Sequence, residues 1–487
     1  MQAPRPERDR HGSLVRLPTV KDARTECVAF KGFDRERDRL SYQFSIDGSP
    51  FSISIWYENV DFFDLERRFG ADFMRRLYFH IGAFNANQYI SLAPARIDFG
   101  EFAEYADASF EELWRAVFQG ACGQWRYEND LPYYRGPVFP VGASTGRPIA
   151  YARSGKALLF SGGGKDSVVV QAALAAADQR YDSLSYSHSI YGTARYQHEL
   201  TDKVLDFGAQ IGRCRISIFD DFLDSPILNR DGYALSTLCA AETPASLFMS
   251  LPLALAEGYD EFVVGHERSA DFGNFVWDVT GEEVNHQWGK SLEAERLLSA
   301  YVSARLLEGF RFYSMLKPFS DAAIFNLAAG ELEALRHAHS CHVRMPWCEH
   351  CTKCAYIWVS YRAYLPPSFV ASIFANDLLD MPENRRWFRE LLGLGAHRVF
   401  DCVGLPEEAR LAFELCRRSG VRCAAMTDFE AAGFDEPYVE LLARYLAIDE
   451  RRSVNVPARV WRAVRPWAAQ RLSGPLSQLS ERLRVAG

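Results

Sequence analysis

The densest chemistry in the chain sits in eight consecutive residues, Phe160-Ser161-Gly162-Gly163-Gly164-Lys165-Asp166-Ser167. Three glycines let three backbone N–H groups face an anion with no Cβ in the way. Ser161, Lys165 and Ser167 add donors and positive charge, and a helix starting here would add its positive N-terminal end. The G-x-x-x-x-G-K-[ST] spacing of a Walker A loop is absent, so this is a phosphate cradle of another kind. A second cluster, Cys341, Cys348, Cys351 and Cys354, reads C-x6-C-x2-C-x2-C. Four thiolates this close suit a tetrahedral structural zinc site. An iron–sulfur cluster is the main rival and a redox C-x-x-C pair the third reading. His342 and His350 are placed to replace a cysteine. The other seven cysteines lack ligand spacing and read as small buried hydrophobes.

These residues need a frame. Lys156–Phe160 is a short apolar strand candidate and Val168–Gln179 the helix that follows it. Further strand-like runs begin at Leu184, Cys214 and Glu261. Strands alternating with helices predict an α/β fold around a parallel sheet. Upstream, Ser41–Tyr57 alternates apolar and polar residues around Asp-Gly, a hairpin signal. Asp64–Ala86 has helical periodicity. Arg135–Pro148, with three prolines and three glycines, reads as a connection, and the chain is helix-like after Tyr356. The expected organisation is a mobile arm over 1–20, an N-terminal α+β domain over 21–145, a nucleotide domain carrying the cysteines over 146–365, and a helical C-terminal region over 366–487.

Composition narrows the class. Of 487 residues, 48% are hydrophobic and 24% charged, which excludes wholesale disorder. The net charge of −8 argues against a protein that coats nucleic acid. Arginine outnumbers lysine 47 to 8, which reads as codon bias of a GC-rich genome. No apolar run reaches the roughly 18–20 residues of a membrane span. The most apolar stretch, Thr243–Tyr259, is interrupted by Pro244 and Pro252. The first residues lack the apolar core of a signal peptide. A cytoplasmic location with reduced thiols is expected.

The loop resembles the S-G-G-x-D-S loop of the PP-loop ATP pyrophosphatases, with Gly162 standing where that pattern has serine and Ser161 one place earlier. A PP-loop followed by clustered cysteines also occurs in 7-cyano-7-deazaguanine synthase. GHERSADFGN (Gly265–Asn274), GEEVNHQWGKSLEAE (Gly281–Glu295), RFYSMLKPFSD (Arg311–Asp321), WCEHCTKC and FDCVG (Phe400–Gly404) fit another family better. In order and content they resemble the UDP-N-acetylmuramoyl-L-alanyl-L-glutamate epimerase (MurL) family. The G-x-x-x-Y-x-N and R-G-x-x-x-P elements at Gly123–Asn129 and Arg135–Pro140 agree.

The resemblance implies a PP-loop type sheet and an ATP-dependent epimerase. Such an enzyme adenylates the α-carboxylate of a C-terminal L-glutamate, inverts the α-carbon, and releases AMP and pyrophosphate. Its substrate would be a UDP-linked muramoyl dipeptide of peptidoglycan precursor synthesis, made by a ligase that adds L-Glu. Mg²⁺ would neutralise the triphosphate. Ser161, Gly162, Gly163, Gly164, Lys165, Asp166 and Ser167 would bind ATP, with Asp166 on Mg²⁺ or locking the loop. His286 is the first candidate for proton transfer, against a structural histidine. Glu267 is a base or a metal ligand. Arg268 and Lys290 would clamp a substrate carboxylate or the enolate. Cys402, in FDCVG, reads first as packing. Eight arginines after residue 450 read as a packing helix with a solvated basic face, ahead of an RNA-facing tail. Alternatives are an epimerase of another peptide C-terminus, a nucleobase- or tRNA-modifying PP-loop enzyme, and an ATP-binding sensor without turnover.

Overall fold

The computed structural model describes residues 23–143, 146–150, 154–225, 241–341 and 343–484. The arm expected over 1–20, together with Cys239 and His342, lies outside the described residues.

Nine strands form one mixed sheet. They are β1 (Thr25–Arg35), β2 (Arg39–Ile46), β3 (Ser49–Tyr57), β4 (Pro94–Asp98), β5 (Ala157–Phe160), β6 (Tyr181–His188), β7 (Arg213–Asp220), β8 (Glu261–Val264) and β9 (Arg311–Ser314). Their spatial order is β9-β8-β5-β6-β7-β3-β2-β1-β4. The five strands from β9 to β7 pair in parallel, as the strand–helix alternation requires. β7 then pairs antiparallel with β3, from Tyr57↔Ile216 to Ile53↔Asp220. The antiparallel run β3-β2-β1 thus extends the same sheet, and β4 closes in parallel on β1.

The hairpin expected around Asp-Gly is β2-β3. Ile46 faces Ser49, and Asp47 and Gly48 both take positive φ (47° and 87°), the pattern of a type I′ turn. The helix expected over Asp64–Ala86 is instead two, Phe62–Phe69 and Ala71–Asn85. Gly70 separates them with φ 88° and ψ 144°, outside helical space, although the apolar periodicity continues across it.

Two apolar clusters hold the molecule. The first joins the N-terminal elements to the parallel sheet, and the rings of Phe84 and Phe248 stack 4.2 Å apart within it. The second packs Asp321–Ala328, Thr352–Tyr364, Pro406–Arg418 and Ala458–Arg484 against the other face. Each fully buried Leu or Phe there contributes roughly 1.5–3 kcal/mol. Arginines of the C-terminal region are committed within the chain: Arg459 to Glu261, Arg465 to Glu450, Arg471 to Glu331 and Arg452 to Asp271. Among the described residues no helix is long and apolar enough to cross a membrane.

Candidate functional site

Parallel neighbours β5, β8 and β9 end at one edge of the sheet, where open α/β sheets bind ligands. Each strand end delivers part of one site. From β5 the chain enters Ser161–Gly164 and then the helix Lys165–Ala176. Ser161 N–H still bonds Leu184 O at 2.8 Å, so the loop begins anchored to the sheet. A Cβ on Gly162 would meet nothing within 4 Å, which marks the open side of the loop. Gly163 has φ +71°, and a Cβ there would meet the His339 ring at 2.1 Å. His339 N–H in turn donates to Gly163 O at 2.9 Å. Glycine is required at 163 by the fold itself. Ser161 Oγ is buried with no hydrogen-bond partner among the described residues. An oxygen of a phosphate would satisfy it, so the loop fits the group that the sequence implies.

Beneath the loop lies a buried charge network. Lys165 Nζ donates to Asp166 Oδ1 at 2.7 Å and stands 3.2 Å from Asp321 Oδ1. Burial disfavours its charge, but Asp166, Asp321 and Glu267 outweigh that and hold the ammonium above its ordinary value. Burial raises Asp166, with Lys165 opposing. Asp321 also accepts from Ser269 Oγ at 2.6 Å. Glu267, three residues past the end of β8, is buried, and its Oε2 has no partner among the described residues. Burial alone would raise its carboxyl, yet Lys290, Lys165 and Lys353 prevail and hold it below the usual carboxylate range. Lys290 Nζ is 3.9 Å from Glu267 Oε1. Lys317, beyond β9 and fully buried, donates to Glu267 O and to Asp271 Oδ1, both at 2.9 Å. Burial brings Lys317 down to about 8, against the pull of Glu267 and Glu295.

The wall facing this network carries His286. Its Nδ1 lies 2.5 Å from Gln124 Oε1, and its backbone N–H donates to Asn274 Oδ1 at 2.8 Å. Its Nε2 stands 3.9 Å from Cys402 Sγ. Burial lowers the imidazole's pKa, with Asp401 opposing and Lys290 reinforcing. Burial raises the Cys402 thiol, with Lys290 and Lys353 opposing. Burial would lower Lys290, but Cys402, Glu267 and Asp166 together keep it protonated. Lys290 is thus the cation between the phosphate loop and the Cys402–His286 pair.

The structure brings Glu267, Lys290 and His286 together around the loop. Arg268 turns toward the Tyr445 ring, 6.0 Å from its centroid. Ser167 is buried in the first turn of the loop helix. Trp288 is packing, as its type suggests: it is buried, and a Cβ on Gly120 would strike its ring at 2.1 Å. Sequence reasoning did not single out Asp321, Lys317, His339 or Gln124. Asp321 and Lys317 lie in the RFYSMLKPFSD motif, which was the available signal. Gln124 lies in the Gly123–Asn129 element, at one of its unspecified positions, and nothing in the sequence pointed to His339.

The sulfurs of Cys341, Cys348, Cys351 and Cys354 lie within 4.8 Å of one another, and two pairs stand at 3.9 Å. Zn–S bonds of about 2.3 Å in a tetrahedron put sulfurs roughly 3.8 Å apart, so the four could hold a zinc ion. His350 Nδ1 is instead engaged with Cys348 O at 2.5 Å.

A family model of the MurL N-terminal domain matches residues 245–315, and one of the MurL C-terminal domain matches 334–427. The chain is 30% identical over 319 residues to the UDP-N-acetyl-alpha-D-muramoyl-L-alanyl-L-glutamate epimerase of Xanthomonas oryzae pv. oryzae, covering 63% of this chain and 67% of that protein. The epimerases of the same name from Salinispora tropica and a Micromonospora species are 30% and 29% identical, over 63% and 62% of this chain and 66% of each relative. The matches therefore span about two thirds of each relative's length.

Proposed function

The chain belongs to the MurL epimerase family, and on that premise we propose that it is an ATP-dependent epimerase of peptidoglycan precursor synthesis. It adenylates the α-carboxylate of the C-terminal glutamate in UDP-MurNAc-L-Ala-L-Glu, inverts the α-carbon to the D configuration, and releases AMP and pyrophosphate. One observation carries the reading. A buried loop with an unsatisfied Ser161 Oγ and a charged Lys165 opens toward a wall that holds Lys290, His286 and Cys402.

The chemistry follows from charge. A carboxylate's negative charge makes its α-proton very hard to remove. Joining it to AMP neutralises that charge and lets the carbonyl accept the electron pair as an enolate. The loop N–H groups, Ser161 and Lys165 would hold the triphosphate. Asp166 and the free Glu267 Oε2 offer oxygen ligands suited to Mg²⁺, which would neutralise phosphate charge when bound. That arrangement uses Glu267 as a metal ligand and not as a base. Its ionised state, held down by three lysines, agrees with this. Lys290 faces the developing enolate oxygen, and Arg268 is left to clamp the substrate's other carboxylate. Burial lowers the His286 imidazole's pKa, and its Nε2, facing Cys402 Sγ, takes part in proton transfer through that neighbour. The four-cysteine site, holding zinc, serves the fold.

The test is incubation with UDP-MurNAc-L-Ala-L-Glu, ATP and Mg²⁺ in D₂O. One deuterium at the glutamate α-carbon, a D-Glu product and AMP are expected. Formation of ADP, or deuterium incorporation without ATP, would overturn the adenylation reading. Incorporation only with a different C-terminal peptide would move the substrate and keep the chemistry.

A further inference from the structure

Neither ring nitrogen of His286 is free to meet a substrate carbon. Nδ1 is held at 2.5 Å by Gln124 Oε1, an acceptor, so Nδ1 carries the proton. Nε2 is then a bare lone pair, and it faces Cys402 Sγ at 3.9 Å. A nucleophile or base whose partner is itself oriented by a third group is the arrangement that activates thiols. Cys402 is partly exposed, whereas Cys416, the next cysteine along the chain, is completely buried. The carbonyl of Cys402 accepts from Lys353 Nζ, which fixes the segment. The charged groups facing the thiol are Lys290, Lys353, Asp401 and Glu267, and Tyr191 interacts with both Cys402 and Glu242. Those facing the imidazole are Asp401, Lys290, Glu242 and Arg398.

We propose that Cys402 is the catalytic residue that exchanges a proton with the substrate α-carbon on one face, and that His286 is its positioning residue and proton partner. This rests on the adenylating reading above. The thiol proton passes from Sγ to His286 Nε2. The thiolate then takes the α-proton of the acyl adenylate and becomes a thiol again. The C–H electron pair moves to the carbonyl oxygen as an enolate beside Lys290. A solvent-derived proton delivered to that carbon from the opposite face completes inversion, the imidazolium returns its proton to solvent, and water then cleaves the acyl–phosphate bond, releasing AMP and the free carboxylate. Traversed from the D-epimer, the same steps run backward.

The experiment measures two partial reactions in the full-length protein. Peptide-dependent exchange of pyrophosphate into ATP reports adenylation. Exchange of the α-proton with D₂O, measured from each epimer separately, reports proton transfer. In Cys402→Ser and Cys402→Ala, pyrophosphate exchange should stay within about threefold of wild type. Net epimerisation, and α-proton exchange from one epimer, should fall about 10²–10⁴-fold, the usual contribution of a general base. In His286→Asn, alkylation of Cys402 by iodoacetamide, followed by peptide mapping, should need a higher pH than in wild type. A merely structural histidine would not move that profile. Exchange from both epimers at wild-type rates in Cys402→Ser would overturn the assignment. So would equal loss of both partial reactions in both cysteine variants while they remain folded, since that marks a structural residue. Absence of pyrophosphate exchange in the wild-type protein would instead remove the adenylating reading, and the role of Cys402 with it.

Discussion

The phosphate loop occupies eight consecutive residues on one strand–helix turn, whereas the wall opposite draws Gln124, His286, Lys290, Lys353 and Cys402 from distant stretches of chain. The loop's geometry is local: it depends on the dihedrals of three glycines and on the start of one helix. The wall exists only when the short helix at Gly123–Glu128, the turn at Trp288–Lys290 and the segment before Pro406–Arg418 pack together. One stretch ties the two halves. His339 N–H bonds Gly163 O on the loop side, and Lys353 Nζ bonds the Cys402 carbonyl on the wall side. Cys341, Cys348 and Cys351 of the cysteine cluster lie between those two residues, and Cys354 directly follows Lys353. Damage to the loop should therefore remove adenylation, and with it the epimerisation that depends on it, while sparing the wall; damage to the wall should leave adenylation intact; and damage to the thiol cluster should disturb both halves.

The largest effect is expected from Cys351→Ser. Structural zinc contributes on the order of 10 kcal/mol in small zinc modules, comparable with the whole stability of a typical domain. The variant should lose zinc by metal analysis, fall sharply in soluble yield, and lose pyrophosphate exchange and epimerisation together. A zinc-free variant with full pyrophosphate exchange would show that the cluster does not couple the halves. Iron with sulfide in the purified protein would replace zinc in the argument.

Lys165→Met comes next and should separate the halves. Removing one buried charge donor at a developing anion typically costs about 10²–10³-fold. Pyrophosphate exchange should fall by that factor and epimerisation with it, because the α-proton is not labile without the adenylate. Alkylation of Cys402 should be unchanged, since Lys165 is not among the charges facing that thiol. A Lys165→Met protein that still epimerises at the wild-type rate would disconnect the loop from the reaction.

The same contrast explains what the sequence could reveal. The loop was legible because spacing and chemistry coincide in eight residues, and the hairpin at Asp47-Gly48 because a two-residue turn is a local signal. Gly70 was missed because apolar periodicity runs through it. Gly163 was legible as a glycine, but not for its neighbour His339, which approaches from beyond the second half of the sheet. His286 was legible as a type, yet its engagement on both nitrogens depends on Gln124 and Cys402, which no spacing rule connects. Cys402 read as packing for the same reason: thiol reactivity is set by neighbours, and a lone cysteine shows none.

The smallest expected effect concerns the strut between the halves. Glu408 Oε2 accepts from Leu405 N–H and Oε1 from Ala322 N–H, each at 3.0 Å. It joins the Cys402 segment to the helix that begins at Asp321, the partner of Lys165. Burial, then Asp321, pushes the Glu408 carboxyl up from the ordinary 4.5 to about 7. A folded-state pKa above the unfolded one means that the folded protein binds this proton more tightly. The resulting stabilisation is complete below about pH 4.5, declines as pH rises, and is gone above about 7. Glu408→Gln removes the titration and leaves one of the two backbone donors facing an amide NH₂, a pH-independent cost of about 1–3 kcal/mol. Urea unfolding of the two proteins should therefore show wild type most ahead at pH 4.5, with its lead shrinking toward pH 7. A lead that stays constant across that window would mean that Glu408 is already ionised when folded, and that its charge is balanced across the two halves by groups other than those that face it.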